Sequence, residues 1–388
     1  MTQPPIDRQP VVAIVYFGDP DFSPHIRRCA GSLAACGYRT WALGIRRPKQ
    51  LQHSSSPFYR TDALRSPSFA AEGPLAFLYF FVGIFVKLWH ERPDKLQPFD
   101  APALVPCWLY GLLRGIPIHY FSLEDMPNLP VLEHRPIARA IWIMLEGFCI
   151  RRTASVAMVA GIDADSYQSR YGIRRPFIVR NVPERMTIAD ARSRLLRKRF
   201  GWNGNEKVLV YHGLIQKGRG IELVFPLLAK YAWLKLAVAG YGDYEDTLKQ
   251  EARKQGVESG VGWYGPFRHE DLGRILPDAD CGIVVLENIS RGYYQALPCK
   301  MFEYVHAGVP VIASDFPEMK AYVEQTGVGR CVDPADPAAI ESAVLLLLTN
   351  SAVADSCRMS CARERNRTCW ETESAVYYSF LGIHRQAP

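Results

Sequence analysis

The stretch ALPCKMFEYVHAGVPVIASDFPE, residues 296–318, decides the fold of this chain. It predicts a loop, a short helix, a tight turn, a buried strand and a second loop. Pro298 suits the first turn of the helix because it has no N–H to lose there, and Gly308 is a typical residue just past a helix end. The run VPVIA, 309–313, is typical of a parallel strand covered on both faces. The stretch therefore predicts part of an α/β sheet.

The start of the same helix is suited to an anion. A helix N-terminus has unpaired N–H groups and a positive dipole, so it can hold a phosphate, and Lys300 adds a cation there. Glu303 lies one turn further along and can accept hydrogen bonds from sugar hydroxyls. The pair suits a nucleoside diphosphate. On these residues alone, an ordinary solvated helix face remains an open reading.

The second candidate segment is YHGLIQKGRG, residues 211–220, a strand that runs into a glycine-rich loop. Gly213 and Gly218 allow the backbone to approach a ligand closely. Lys217 and Arg219 would face a diphosphate, where fixed cations stabilise the charge that grows on a leaving phosphate. A solvated turn with two surface cations is the alternative.

Length and composition predict two globular domains. The chain has 388 residues, of which 48% are hydrophobic and 22% charged. Residues 1–183 carry 21 Lys and Arg against 14 Asp and Glu, whereas the remainder carries 25 of each. The basic half predicts an anionic partner such as an acidic membrane surface or a phosphorylated acceptor, and simple solubility is the alternative.

Two features bear on localisation. The ten cysteines form no C-x-x-C pair, and the N-terminal residues show no signal peptide, so we expect a cytoplasmic protein with reduced thiols. The longest apolar run, residues 74–89, is shorter than the ~20 residues that span a bilayer. A buried core helix is the favoured interpretation, and a helix in a membrane interface is the alternative.

The pattern of elements predicts two successive α/β units. Strands over 11–17 and TWALGI flank a helix, and 50–72 predicts a loop. A second alternating set begins near residue 207, and the two sets join near 184–205. The prediction is an α/β chain of two Rossmann-like doubly wound domains, without the G-x-G-x-x-G dinucleotide fingerprint.

The stretch 296–318 resembles the donor-site signature of the retaining GT-B glycosyltransferases of family 4, roughly PxKxFEYxxxGxPVIAS. The resemblance implies GT-B architecture, with two doubly wound domains facing a central cleft. It implies an N-terminal acceptor-side domain over 1–185, a nucleotide-sugar domain over 186–365, and a helix over 366–388 that crosses back to the first domain.

The resemblance also assigns roles to single residues. The 211–220 loop is similar to the family's G-R-x-x-x-x-K-G loop, with Leu214 at the usual arginine and Arg219 at the usual lysine. YGPF, which ends at Phe267, resembles the loop that meets the nucleobase. Gln295 stands where the family often has a glutamate, eight positions before Glu303, which puts any role for a carboxylate there in doubt.

In the first half, Glu124 follows a strand at HYFSLED and resembles the family's acceptor-facing acid. The implied site comprises catalytic and donor-binding groups, namely Arg219, Lys217, Glu124, Gly213, Gly218, Phe267, Gln295, Pro298, Lys300 and Glu303. No cofactor and no metal are expected. A strand-end acid that caps a helix is the alternative for Glu124.

The sequence thus predicts transfer of a sugar from a UDP- or GDP-sugar to a hydroxyl of a glycan or lipid-linked acceptor, with retention, in cell-surface polysaccharide or glycolipid synthesis. We expect a cytoplasmic enzyme, peripheral at the inner face of an anionic membrane, with no nucleic-acid partner. The alternatives are a nucleotide-sugar 2-epimerase on the same fold and a catalytically inactive GT-B-like scaffold.

Overall fold

The structure, a computed structural model, describes residues 9–46, 58–66, 73–188 and 194–383. It divides into two compact units. Unit 1 comprises Met1–Asn181 with Glu373–Pro388, and unit 2 comprises Val182–Thr372. The sequence had placed the boundaries at residues 185 and 365. Much of the predicted 50–72 loop and part of the 184–205 junction fall outside the described residues.

Unit 1 is built on a seven-stranded sheet in which all strands are parallel. Its strand order is β3-β2-β1-β4-β5-β6-β7, so the direction of winding reverses between β1 and β4. The central strands are almost entirely buried, as a sheet covered by helices on both faces requires, although β4 and β5 include polar residues. The strands are β1 Val11–Tyr16, β2 Arg39–Arg46, β3 Arg60–Arg65, β4 Lys95–Phe99, β5 His119–Ser122, β6 Ser155–Met158 and β7 Phe177–Ile178.

Six helices connect these strands. Ser23 caps the first of them, because its hydroxyl accepts a hydrogen bond from the N–H of Ile26. Gly115 ends the third in the left-handed conformation. The helices are α1 Pro24–Ala35, α2 Gly73–Glu91, α3 Asp100–Arg114, α4 Pro130–Glu133, α5 Pro136–Ile150 and α6 Gly161–Tyr171.

Unit 2 repeats the same plan with six parallel strands in the order β10-β9-β8-β11-β12-β13. The strands are β8 Lys207–Leu214, β9 Leu234–Tyr241, β10 Val261–Gly265, β11 Cys281–Val284, β12 Val311–Ser314 and β13 Gly329–Val332. The helices are α7 Leu195–Phe200, α8 Phe225–Lys230, α9 Glu245–Lys254, α10 Leu272–Ile275, α11 Arg291–Tyr294, α12 Cys299–His306, α13 Pro317–Thr326, α14 Pro337–Thr349 and α15 Ser351–Glu364.

The last helix, α16 Trp370–Phe380, lies mainly in unit 1. The buried Tyr377 hydroxyl donates a hydrogen bond to Gln97 Oε1 at 2.7 Å, and Ser155 Oγ donates to the carbonyl of Phe380 at 2.7 Å. The end of the chain is therefore part of the core of unit 1, although residues 182–372 separate it from that unit in the sequence.

Three local predictions were wrong or incomplete. β3 lies inside the segment predicted as a loop, and it pairs with β2 over six residues, from Trp41 to Arg46. No element was predicted between residues 90 and 116, where the structure has β4 and α3. The favoured interpretation of 74–89 as a core helix holds for one face alone, since α2 buries Ala76, Phe80, Ile84 and Leu88 and exposes most of its other large side chains.

Candidate functional site

The candidate site of unit 2 lies at the carboxyl ends of β8 and β11, between which the winding of the sheet reverses. Ligands of open α/β sheets bind at such a switch point. β8 pairs with β9 along its whole length but with β11 only at Leu209 and Val210. The buried Tyr304 hydroxyl occupies the gap: it donates to the Val210 carbonyl at 2.9 Å and accepts from His212 N–H at 3.2 Å. Tyr304 thus fixes α12 against the end of β8.

This contact brings Lys300, in the first turn of α12, over the end of β8. Its Nζ lies 3.8 Å from the centre of the Tyr211 ring. A Cβ added at Gly213 would lie 3.6 Å from the same Nζ. The ammonium makes no salt bridge with any residue that the structure describes. Burial, and then the charge of Arg219, lower the pKa of Lys300 well below its usual value.

The glycine-rich loop packs on the segment after β11, and two of its glycines are required for this. Gly218 and Gly220 have φ of +80° and +67°, a region that favours glycine. An added Cβ would lie 2.5 Å from Ile289 Cδ1 at Gly218 and 1.9 Å from the Val285 carbonyl oxygen at Gly220. The N–H of Glu287 donates to the Gly218 carbonyl at 2.9 Å, which fastens the two segments together.

Between these glycines, Arg219 turns toward Tyr293, whose ring centre lies 4.8 Å from the guanidinium carbon. The one hydrogen bond of its side chain to a described residue is a long one, from Nη2 to Gln216 Oε1 at 3.4 Å. Its buried Nε has no hydrogen-bond partner in the described part of the chain. Lys217 is exposed, and its charge acts on Glu287, whose pKa is raised by burial and by Glu222. Of the two loop cations, Arg219 is the one that faces Lys300.

Glu303 lies one turn along α12 and is not part of a solvated face, as the residues alone had allowed. Its carboxylate is buried, with Oε2 3.3 Å from His212 Nε2 and Oε1 3.5 Å from His269 Nδ1. Cys299 Sγ lies 3.5 Å from Oε1. Burial lowers the pKa of His212 to about 4, against the opposing effect of Glu303, so this histidine is neutral at pH 7.

The remaining predicted donor-site residues differ in how they relate to this cluster. Phe267 joins it, because its ring meets that of His212 edge-to-face at 6.1 Å. Pro298 is the N-cap of α12 and not a first-turn residue: its ψ of 135° is extended, so the helix begins one residue later than predicted. Gln295 is buried at the end of α11, where its Oε1 accepts from Arg291 Nε at 3.3 Å.

The equivalent switch point of unit 1 lies between β1 and β4, and it holds a carboxylate that the sequence analysis missed. Asp100 follows β4 with a φ of +61°, which is unusual for a residue other than glycine. Its Oδ1 accepts from the N–H of Leu123 at 2.7 Å and of Glu124 at 3.4 Å. Burial, and then the charge of Glu124, raise the pKa of Asp100 to about 8.

Glu124 itself is exposed beside Asp100, whereas the next residue, Asp125, is buried and structural. Arg170 binds both carboxylate oxygens of Asp125, at 2.6 and 2.8 Å. On α1, His25 and Arg28 are buried, and both contact Asn181 Oδ1. They therefore support the core of unit 1.

A scan against protein-family models matches residues 193–364 with the family described as glycosyl transferases, group 1. The matched range lies within unit 2 and includes the glycine-rich loop and α12. The matched range is less than half of the chain, so it shows a similarity of this part to the family. Within the matched range, the cluster around Lys300 and Glu303 is the polar site at the switch point.

Two curated proteins are similar to part of the chain. An uncharacterized glycosyltransferase of Methanocaldococcus jannaschii is 26% identical over 147 residues, which is 37% of this chain and 36% of that protein. Glycogen synthase of Mycobacterium tuberculosis is 26% identical over 161 residues, 40% of this chain and 37% of that protein. The match thus spans little more than a third of each relative.

Solved structures share the fold over nearly the whole chain. Sucrose-phosphate synthase from Thermosynechococcus elongatus superposes with a TM-score of 0.77 at 17% identity, covering 97% of this chain and 100% of that one. Anabaena HepE in complex with UDP and glucose gives 0.74 at 15%, covering 96% and 100%. WaaG, a glycosyltransferase involved in lipopolysaccharide biosynthesis, gives 0.72 at 15%, covering 97% and 100%. The fold of the chain is therefore GT-B.

Two of the cluster's side chains, His212 and His269, were not predicted. Each lies far in sequence from Glu303, and the contact arises when β8, the loop after β10 and α12 meet. The one available signal was the position of His212 at the end of a buried strand. Across the described residues, no group of three or more His, Cys, Asp and Glu side chains is arranged to hold a metal ion.

Proposed function

We propose that this protein transfers a sugar from a nucleoside-diphosphate donor to a hydroxyl, and that Lys300 and Arg219 bind the donor's diphosphate. The donor class is a UDP- or GDP-sugar, and the transfer retains the anomeric configuration. No metal or other cofactor takes part in the proposal. The acceptor is a glycan or a lipid-linked glycan in the synthesis of cell-surface polysaccharide or glycolipid, made in the cytoplasm.

One observation carries the proposal: two cations come together at the switch point of unit 2, and neither makes a salt bridge with a residue that the structure describes. Arg219 lowers the pKa of Lys300, which means that the two charges repel each other. Arg219 Nε also has no hydrogen-bond partner among the described residues, although the atom is buried. A dianionic diphosphate would remove the repulsion and accept these hydrogen bonds. As the bond to the sugar breaks, the same cations would stabilise the growing charge.

The position of Glu303 gives the nucleoside a place beside the diphosphate. Glu303 lies three residues after Lys300, about 4.5 Å of rise along the helix axis, and its carboxylate lies 3.3 Å from His212 Nε2 and 3.5 Å from His269 Nδ1. We propose that it accepts hydrogen bonds from ribose hydroxyls and that the loop at Phe267 meets the base. Support comes from HepE, which was solved in complex with UDP and glucose.

For the acceptor side, we propose that Glu124 contacts the acceptor and orients its hydroxyl, with Asp100 holding the Glu124 loop through two backbone N–H groups. In a retaining transfer the leaving phosphate takes the acceptor proton, so Glu124 need not be a base. A lipid-linked or polysaccharide acceptor is supported by the excess of 21 cationic over 14 acidic residues in positions 1–183.

The test is a panel of nucleotide sugars incubated with the protein, in which release of nucleoside diphosphate and the identity of the remaining sugar nucleotide are both measured. We expect release from one UDP- or GDP-sugar. Arg219→Ala should slow it about 10- to 100-fold, because one charge-assisted contact contributes ~1.5–3 kcal/mol. Arg253→Ala, an exposed arginine on α9, is the matched control and should have no effect.

Other outcomes identify the alternatives. An epimerised donor with no nucleotide released would show a 2-epimerase. Absence of both turnover and binding of UDP and GDP would show an inactive scaffold. Equal effects of Arg219→Ala and Arg253→Ala would contradict the assignment of Arg219.

A further inference from the structure

Unit 1 has an apolar surface made by the outward side chains of α2, α3 and α5, which we call the three-helix face. On α5 the exposed large side chains are Ile137, Ile141, Met144 and Phe148, spaced by four, three and four residues. This spacing places them in one stripe along the helix. Such a stripe is normally buried, so its exposure indicates a surface that contacts something else.

α2 carries a second stripe of the same kind. Leu75, Leu78, Val82 and Val86 are exposed at spacings of three, four and four, opposite the buried face of the helix. Ring contacts connect the helices: Phe77 of α2 meets Trp142 of α5 at 5.2 Å, and Trp108 of α3 meets Phe148 at 5.0 Å. The stripes therefore belong to one continuous surface.

Charge on the three-helix face is distributed unevenly. The three helices contain three carboxylates, and none is both exposed and unpaired: Glu146 is bound by tyrosines, Glu91 pairs with Arg60 at 2.7 Å, and Asp100 binds the 123–124 backbone. A surface whose helices carry no carboxylate that is both exposed and unpaired is suited to an anionic partner.

Cations collect at one end of the same face. α2, α3 and α5 all run antiparallel to the strands they connect. Their C-terminal ends therefore lie at the same end of the sheet, where the strands begin. Exposed Arg114 and Arg152 lie there, over the rings of Trp89 and Trp108 at 5.8 and 5.9 Å, and Arg92 and Arg151 follow the ends of α2 and α5. Tryptophan beside arginine at the border of an apolar surface is typical of the interface between lipid headgroups and acyl chains.

We infer that the three-helix face docks on an anionic lipid bilayer, with the apolar stripes among the upper acyl chains and the arginines at the headgroups. α2 is the one unbroken helix of the described residues that is long and apolar enough to cross a membrane. It lies on the bilayer and does not span it, because Phe80, Ile84 and Leu88 are fully buried in the core with β1 and β2. The inference goes beyond the proposed function and does not depend on it.

The test uses the full chain with vesicles of phosphatidylglycerol and phosphatidylcholine, and with vesicles of phosphatidylcholine alone. We expect co-sedimentation with the anionic vesicles, weakened but not abolished by high salt, because the apolar part is not screened. Met144→Glu should weaken binding about tenfold or more. Met359→Glu on α15 is the matched control, since both methionines are 64% exposed, and it should bind like the unchanged protein.

Two results would overturn the inference. One is the absence of vesicle binding at low salt. The other is a concentration-dependent dimer that Met144→Glu dissociates while the vesicles remain unbound, which would assign the face to a second copy of the chain. A thermal melt of the same Met144→Glu sample shows whether the protein is folded, and UDP binding measured on it reports on the donor site separately.

Discussion

The switch points of the two units occupy equivalent places in two similarly ordered parallel sheets, yet they carry opposite charge. In unit 2 the cations Lys300 and Arg219 converge at the ends of β8 and β11. In unit 1 the carboxylates Asp100 and Glu124 meet beyond β4 and β5. The same backbone plan thus brings together cations at one switch point and carboxyl groups at the other. Because the strand order is the same over six strands, the difference in charge between the two switch points comes from the loops.

The largest effect is expected at Gly220, in the backbone of the loop that carries Arg219. Gly220→Ala would put a Cβ 1.9 Å from the Val285 carbonyl oxygen at a φ of +67°. The loop and the segment after β11 must then separate, so we expect loss of UDP binding and a decrease in the free energy of unfolding of about 3 kcal/mol or more. Calorimetry and denaturant melts measure the two quantities.

Gly256→Ala is the control for that variant. Gly256 has a φ of +69° but no atom within 4 Å of an added Cβ, so the backbone strain is matched and the clash is absent. We expect a cost of about 1–2 kcal/mol and unchanged UDP affinity. Similar losses of affinity in both variants would mean that strain, and not the close approach to Val285, maintains the loop.

A smaller effect is expected at Glu303, which we propose to contact the ribose of the donor and not its phosphates. Glu303→Gln keeps the size of the side chain but removes its charge, so UDP affinity should fall about tenfold. Inorganic pyrophosphate, which has no ribose, should bind to the variant as it binds to the unchanged protein. If both ligands lose affinity equally, Glu303 supports the fold of the site through His212 and His269 and does not contact the nucleoside.

The smallest effect concerns the carboxyl groups at the switch point of unit 1. The pKa of Asp100 is about 8 in the folded protein against an ordinary value of 3.8, so folding disfavours the ionised form. This carboxyl costs no stability below pH 4, and the cost grows as pH rises from about 4 to about 8. Asp100→Asn keeps the acceptor for Leu123 and tolerates a φ of +61°.

We therefore expect Asp100→Asn to raise the melting temperature of unit 1 by a few degrees at pH 8 and to leave it unchanged at pH 4. Thermal melts of both proteins across this range measure the difference. A variant that is less stable at pH 8 would show that the fold stabilises the Asp100 carboxylate. This result would contradict the raised pKa of Asp100.

Much of the fold and part of the site could be predicted from the sequence. β1, β8, β9 and β12 are continuous apolar runs, and such runs are visible without a structure. Lys300, Arg219 and Glu303 could be found because they lie within short segments that also contain diagnostic glycines and prolines. The two-unit plan followed from the alternation of strands and helices.

Other elements could not be predicted, for physical reasons that differ from case to case. β4 has the sequence KLQPF, and its Gln97 is buried with the hydroxyl of Tyr377 of α16 as partner. A core strand with polar residues has no apolar pattern by which it could be predicted. α3 contains Pro106 inside the helix, which argues locally against a helix that packing nevertheless stabilises. His269 reaches Glu303 only through tertiary contact, and no local pattern contains that information.

The central claim is that Lys300 and Arg219 bind a nucleoside diphosphate. Calorimetry of UDP binding to Lys300→Ala at pH 8 tests this claim most directly. The control is Lys320→Ala, because Lys320 is exposed. The account predicts a 10- to 100-fold loss of affinity for Lys300→Ala and none for Lys320→Ala. Unchanged affinity in Lys300→Ala would contradict it.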